Sequence, residues 1–261
     1  MASATGIPDH PPPPEDAIVS SVDDTEALDE TEPLLGRPGD VSQGEGQSYL
    51  YNLIQGTGVL AQFGIWLLLI LIWASVLTKD LILFSGHPLA QSVGILLLVQ
   101  SALVLQPTHT VDQKRVGQRI HAGLNLAALV ALTTGVVVIE YNKFANNGLH
   151  FHSVHGYLGV ATSAVLAAQY TLGFTMWAAP SLYGGIDRAR SLYRYHRWAG
   201  YLVLVLLLAT VAAAVDTPYN ENVLKLRLWA VLLLSALVLV GVIPRVRKHK
   251  LGFTGKKPTV I

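Results

Sequence analysis

From about residue 51 onward the chain alternates between long apolar runs and short polar breaks. Crossing about 30 Å of hydrocarbon at about 1.5 Å per residue takes roughly 20 residues. Six runs reach that length: Val59 to Thr78, His87 to Gln106, Ile120 to Tyr141, His152 to Ala178, His196 to Val215 and Leu226 to Pro244. The breaks Lys79 to Gly86, Pro107 to Arg119, Asn142 to Phe151, Ala179 to Tyr195 and Asp216 to Lys225 leave no room for a second folded domain. The pattern predicts an all-α integral membrane protein, with one six-helix transmembrane domain over 51–247.

The ends of the chain are of another kind. Residues 1–50 hold eleven of the seventeen acidic residues and a single basic one, Arg37, together with the run Pro11 to Pro14. Such a segment cannot bury enough apolar area to offset the entropy of ordering, and it is expected to be a disordered acidic tail. It has no positively charged start followed by an apolar run, so it does not read as a cleaved secretory signal. Within it, Glu30-Thr31-Glu32-Pro33-Leu34-Leu35 resembles the acidic dileucine signal that sorts membrane proteins to vacuoles and lysosomes. Residues 248–261 form a second, basic tail.

Charge orients the predicted spans. The breaks after the second and fourth spans carry Lys114, Arg115, Arg119, Arg188, Arg190 and Arg194; Arg197 and the C-terminal stretch bring this side to thirteen basic residues. The opposite side carries Lys79, Lys143, Lys225 and Arg227. By the positive-inside rule both termini face the cytosol.

Within this frame four histidines stand out, because His87, His121, His155 and His196 sit at the mouths of four different spans. An ionisable or metal-ligating side chain is costly there, so a functional reading is the default. The topology puts His87 and His155 in a luminal layer and His121 and His196 in a cytosolic layer. Two pairs across one bundle meet the requirement of two haems b, each iron taking two axial imidazoles from facing helices. An iron with both axial positions filled passes electrons and performs no bond chemistry. Gly159 and Gly200, each four residues after a histidine, share its helical face and either admit a flat macrocycle or serve close helix packing. The chain has no cysteine, so no thiolate ligand or disulfide competes with this reading.

Four motifs carry a resemblance: Phe84-Ser-Gly-His-Pro88, Arg119-Ile-His-Ala-Gly-Leu124, His152-Ser-Val-His-Gly156 and Leu192-Tyr-Arg-Tyr-His-Arg-Trp-Ala-Gly200. In these, over about residues 55 to 245, the chain resembles the cytochrome b561 family of six-span, two-haem transmembrane electron carriers. The resemblance implies a central bundle of spans two to five, with the first and sixth outside. It also implies pairing of His87 with His155 and of His121 with His196, and a homodimer. Electrons would enter from cytosolic ascorbate and leave to monodehydroascorbate or a ferric chelate. Arg115, Arg119 and Arg190 match the family's basic positions near the cytosolic ligands, and cations there suit an anionic donor.

On the luminal side the chain departs from the family. Lys143-Phe144-Ala145-Asn146-Asn147 stands where ascorbate-reducing members place a histidine. Lys143, His150 and His152 are then the candidates near the acceptor. The same luminal histidines leave open a divalent-metal transporter or sensor, since imidazole suits several metals. The scarcity of acidic residues within the spans weighs against it, and a purely structural scaffold leaves four matched histidines unexplained. No nucleic-acid partner is expected.

Overall fold

The computed structural model describes residues 41–246. The Glu30 to Leu35 motif, most of the acidic tail and the basic stretch 248–261 lie outside the described residues. Six long helices follow in order: α1 (Gly58–Leu77), α2 (Gly86–Leu105), α3 (Val111–Ala145), α4 (Val154–Ala178), α5 (Tyr193–Ala213) and α6 (Leu228–Val242). A six-residue helix, Ile186–Ser191, lies between α4 and α5. There is no strand among the described residues, and the fold is that of an all-α, multi-pass membrane protein.

Local chemistry explains the helix starts. Thr110 accepts from the Gln113 N–H at 3.2 Å while the Gln113 side chain accepts from the Thr110 N–H at 3.4 Å, a reciprocal cap that begins α3 at Val111. The span expected from Ile120 therefore starts nine residues earlier, and Arg115 and Arg119 lie on a helix instead of in a loop. At 35 residues α3 is about 52 Å long, well over the hydrocarbon thickness. Ser153 caps α4 by accepting from the Gly156 N–H at 3.1 Å, which fixes His155 in the first turn.

Among the described residues, five helical segments are both long and apolar enough to cross a membrane. The helix that falls short of the six-span expectation is α4, which is long enough but interrupted by Thr162, Gln169 and Tyr170. These polar groups are spent inside the protein: Thr162 meets Thr210 at 3.2 Å, Gln169 donates to the His196 carbonyl, and the Tyr170 hydroxyl donates to the Asn125 carbonyl at 2.9 Å. A hydropathy sum counts them as cost, although each has a partner.

The helices pair closely as α2 with α3, α4 with α5 and α1 with α6. The α1–α6 pair lies beside α2 and α5, and the apolar core, including Leu68, Val99, Leu103, Leu207 and Val238, gathers largely there. In contrast, α3 makes little contact with α4 or α5, so the hairpins α2–α3 and α4–α5 form two walls joined mainly through α2 and α5. The space between these walls is a slot with α3 on one side and α4 on the other.

Glycine allows the outer pair to approach. A side-chain carbon at Gly64 would lie 2.7 Å from the Leu234 carbonyl, and one at Gly241 would collide with the Ala61 backbone. Between α1 and α2, Gln62 and Gln100 exchange amide hydrogen bonds at 2.6 and 3.0 Å, which satisfies both within an apolar stretch. At the end of α6 the fully buried Arg245 donates to the carbonyls of Asn52 (2.7 Å) and Leu103 (3.2 Å).

Residues 41–50, grouped with the tail by composition, lie against this same end. The buried Gln43 gives its N–H to the Pro107 carbonyl at 3.0 Å, and its side chain accepts from Asn52 at 2.9 Å. Polar side chains here meet helix-end carbonyls that have no partner within their own helix, a gain that a count of apolar residues misses.

Replacing Gly241 with Leu is expected to push α6 off α1 and cost about 1–3 kcal/mol by overpacking. Thermal unfolding in detergent measures it; an unchanged melting temperature would contradict the tight α1–α6 contact.

Candidate functional site

His87 enters the slot from the first turn of α2 and His155 from the first turn of α4, at the same end of the bundle. Their ring centroids are 6.1 Å apart, with planes at 83°. The Nδ1 of His87 lies 2.8 Å from the Gly135 carbonyl on α3, and that of His155 2.9 Å from the Thr210 carbonyl on α5. A carbonyl can only accept, so both protons sit on Nδ1 and both Nε2 lone pairs are left for a ligand. This is the arrangement in which protein-bound metals use histidine.

His121 and His196 occupy the opposite end, on α3 and α5. The Nδ1 of His121 is held by Ser101, 3.1 Å from its carbonyl and 3.0 Å from its hydroxyl. The Nδ1 of His196 is buried without a hydrogen-bond partner. Its ring lies against Gly173 of α4, where a side-chain carbon would come 2.8 Å from Cε1.

These residues can be tested against the haems expected from the sequence. A metal about 2 Å from each Nε2 separates the two ring centroids by roughly 6 Å, which fits His87 and His155. The donor set is four neutral imidazoles, the axial ligand type of b-type haems. At Gly159 an added side-chain carbon would find its nearest neighbour, the Thr210 methyl, only at 3.9 Å, which leaves room beside His155. Gly200 behaves differently: a carbon there would meet the Gln169 amide at 3.3 Å, so this glycine serves the packing of α4 on α5. The residues fit the group at the His87 and His155 end, and the opposite end brings two further imidazoles, those of His121 on α3 and His196 on α5.

Near His196 a cleft of about 440 Å³ is lined by Lys114, Arg115, Gln118, Trp177, Arg190 and Tyr193, among others. It brings Arg115 of α3 and Arg190 of the short helix together; Arg119 is exposed and is not among its lining residues. Arg115 pairs with Asp112 at 3.5 Å and Arg190 with Asp187 at 3.8 Å, both at the surface. Such exposed pairs are weak and leave the guanidinium groups available to an anion.

At the His87 and His155 end, Glu140 binds His150 at 3.2 Å and Lys143 at 3.8 Å. His152 directs Nδ1 to the Leu149 carbonyl at 2.9 Å. Among the described residues no group of three or more His, Asp or Glu side chains is arranged to hold a metal ion.

Sequence reading missed Ser101, Asn125, Gly173 and Thr210. Their only signals were a small or polar residue inside an apolar run and, for Asn125, a position one turn after His121.

Comparison with known proteins follows the same residues. A family model described as eukaryotic cytochrome b561 matches residues 86–219, which contain all four histidines. The chain is 27% identical over 164 residues to the transmembrane ascorbate-dependent reductase of Ovis aries, a stretch covering 61% of this chain and 62% of that protein. It is 27% identical over 165 residues to the protein of the same name in Homo sapiens, covering 61% and 62%. It is 25% identical over 136 residues to the lysosomal membrane ascorbate-dependent ferrireductase of Danio rerio, covering 51% and 54%. The chain thus spans about three-fifths or less of the length of these relatives.

The substitution Gly173→Val is expected to displace the His196 ring and halve the haem retained per purified chain. Full haem content in this variant would mean that His196 does not depend on its contact with Gly173.

Proposed function

The chain belongs to the cytochrome b561 family, and we propose that it carries single electrons across a membrane, from ascorbate to an acceptor on the far side. The observation that supports this most directly is the approach of His87 and His155 from facing helices, 6.1 Å between ring centroids, with both Nδ1 protons committed to carbonyls. In this reading His87 and His155 hold one haem b and His121 and His196 hold the other. Haem so held supplies reversible one-electron chemistry with no open coordination site.

The protein's own residues do the rest. The carbonyls of Gly135, Thr210 and Ser101 fix three imidazoles in the tautomer that leaves Nε2 free. Three cations favour a monoanion in the cleft: Lys114 and Arg115 on α3 and Arg190 on the short helix, with Trp177 and Tyr193 giving flat surfaces for a small ring. Ascorbate has this charge and size, and three of the relatives described above carry ascorbate dependence in their names. Arg119 stands outside the lining and acts, in this account, as a cation at the mouth.

The excess of basic residues puts the cleft and both termini in the cytosol. The acceptor then meets the luminal end, where Glu140 pairs with Lys143 and His150 and where His152 stands three residues before His155. We place monodehydroascorbate or a ferric chelate there. The dileucine-like motif, read as cytosolic, directs the protein to a lysosomal or vacuolar membrane, and the chain works as a homodimer.

Two sets of variants test the proposal. His121→Ala or His196→Ala is expected to remove one haem and stop reduction by ascorbate; His87→Ala or His155→Ala is expected to remove the other and leave ascorbate reduction of the remaining haem intact. Both haems persisting in any single variant would refute the pairing. Replacing Arg115 and Arg190 with Gln is expected to raise the ascorbate concentration for half-reduction by roughly threefold to tenfold, about 1 kcal/mol as for exposed charges, with both haems retained. An unchanged ascorbate response would separate the cleft from the donor.

A further inference from the structure

Four imidazoles point into the slot, yet the partners of their Nδ1 atoms differ in a way that ligation does not require. His87 and His155 each meet a main-chain carbonyl. His196 has a buried Nδ1 without a partner. His121 is the one among the four, in the described residues, with a side-chain partner, the hydroxyl of Ser101.

Ser101 is almost fully buried, at 2% exposure, on the wall of α2 that faces α3. Its carbonyl lies 3.1 Å and its hydroxyl 3.0 Å from the His121 Nδ1. Because the carbonyl accepts only, the Nδ1 proton is directed to Ser101 and is shared between the two oxygens. The hydroxyl is itself held in place. Asn125, one turn after His121, donates through Nδ2 to the Ser101 hydroxyl at 2.6 Å and to the His121 carbonyl at 2.7 Å. The Tyr170 hydroxyl reaches from α4 to the Asn125 carbonyl at 2.9 Å, tying the second wall into the same network.

An acceptor on Nδ1 pushes electron density toward the opposite nitrogen and makes it a stronger ligand for the oxidised metal. A hydrogen bond to a main-chain carbonyl sets that effect once for the whole fold. The Ser101 hydroxyl is adjustable, because its direction is held by Asn125. Since His196 has no Nδ1 acceptor, any such tuning at this centre comes through His121.

We propose that Ser101 and Asn125 are positioning residues that set the reduction potential of the centre held by His121 and His196, independently of the other centre. This rests on the haem ligation proposed above. The network lowers the potential of the centre that takes the electron from the donor below the value it would have without the Ser101 hydroxyl, and so favours passage toward the His87 and His155 centre. Removing the hydroxyl lessens the stabilisation of the ferric state and raises that potential.

The test is a spectroscopic redox titration of the purified full-length holoprotein, wild type against Ser101→Ala, Asn125→Leu and Ser101→Thr, with electron paramagnetic resonance of the oxidised samples. Ser101→Ala and Asn125→Leu are expected to shift electron sharing between the haems toward the His121 centre by about threefold to tenfold, tenfold being about 59 mV for one electron. The low-spin signal of that haem alone should change, while Ser101→Thr, which keeps the hydroxyl, should hold wild-type values. Potential and signal belong to the loaded haem, so a variant with reduced haem content still gives an answer from its loaded fraction. Unmoved potentials and signals with haem bound would overturn the inference and leave the ligation reading standing. A wild-type protein without haem would instead remove the ligation reading on which it rests.

Discussion

A histidine placed within an apolar slot is costly unless its ring nitrogens find partners, because a buried polar atom without one costs about as much as the hydrogen bond it fails to make. In this protein one nitrogen of three histidines is settled by a carbonyl: Gly135 for His87, Ser101 for His121 and Thr210 for His155. The carbonyls of Gly135 and Thr210 belong to helix interiors, where the second lone pair of the oxygen is available beyond the helical hydrogen bond. The helix that supplies each acceptor is the close partner of the one that carries the histidine: α3 for α2, α2 for α3 and α5 for α4. Pairing of helices and orientation of imidazoles are thus one constraint, and the remaining nitrogen is turned into the slot.

The slot needs a reason to persist, since two apolar walls in a bilayer would gain contact by closing. The outer pair gives that reason. Helices α1 and α6 pack on each other through Gly64 and Gly241 and lie against α2 and α5, so the two inner hairpins are held from one side only. Arg245 and the segment containing Gln43 and Asn52 tie the ends of α6 and α2 together through carbonyl hydrogen bonds. Most of the apolar core is spent in this outer half, leaving α3 and α4 to line a space whose polar groups are met one by one by Tyr170, Gln169 and Asn125.

Much of this was legible in the sequence. The lengths of the apolar runs predicted six helices close to those found, and the positions of His87, His121, His155 and His196 placed them two at each end. Three features escaped. The start of α3 at Val111 depends on the reciprocal cap of Thr110 and Gln113, which sits inside a polar stretch that carries no apolar period. The lower apolarity of α4 comes from groups whose partners lie on α3 and α5, and a window along one helix cannot see them. Gly173 matters because a ring from α5 lies on it, whereas Gly200, one turn after His196, faces Gln169. Which glycine makes room for a ligand and which for a helix is decided by the neighbour, and the neighbour is a long-range fact.

The most direct measurement is haem content per chain in detergent-purified full-length protein, with absorbance followed as ascorbate is added. The expected result is two haems b per chain, both of them reduced by ascorbate. A protein without haem, or one that binds haem reducible by dithionite and not by ascorbate, would contradict it.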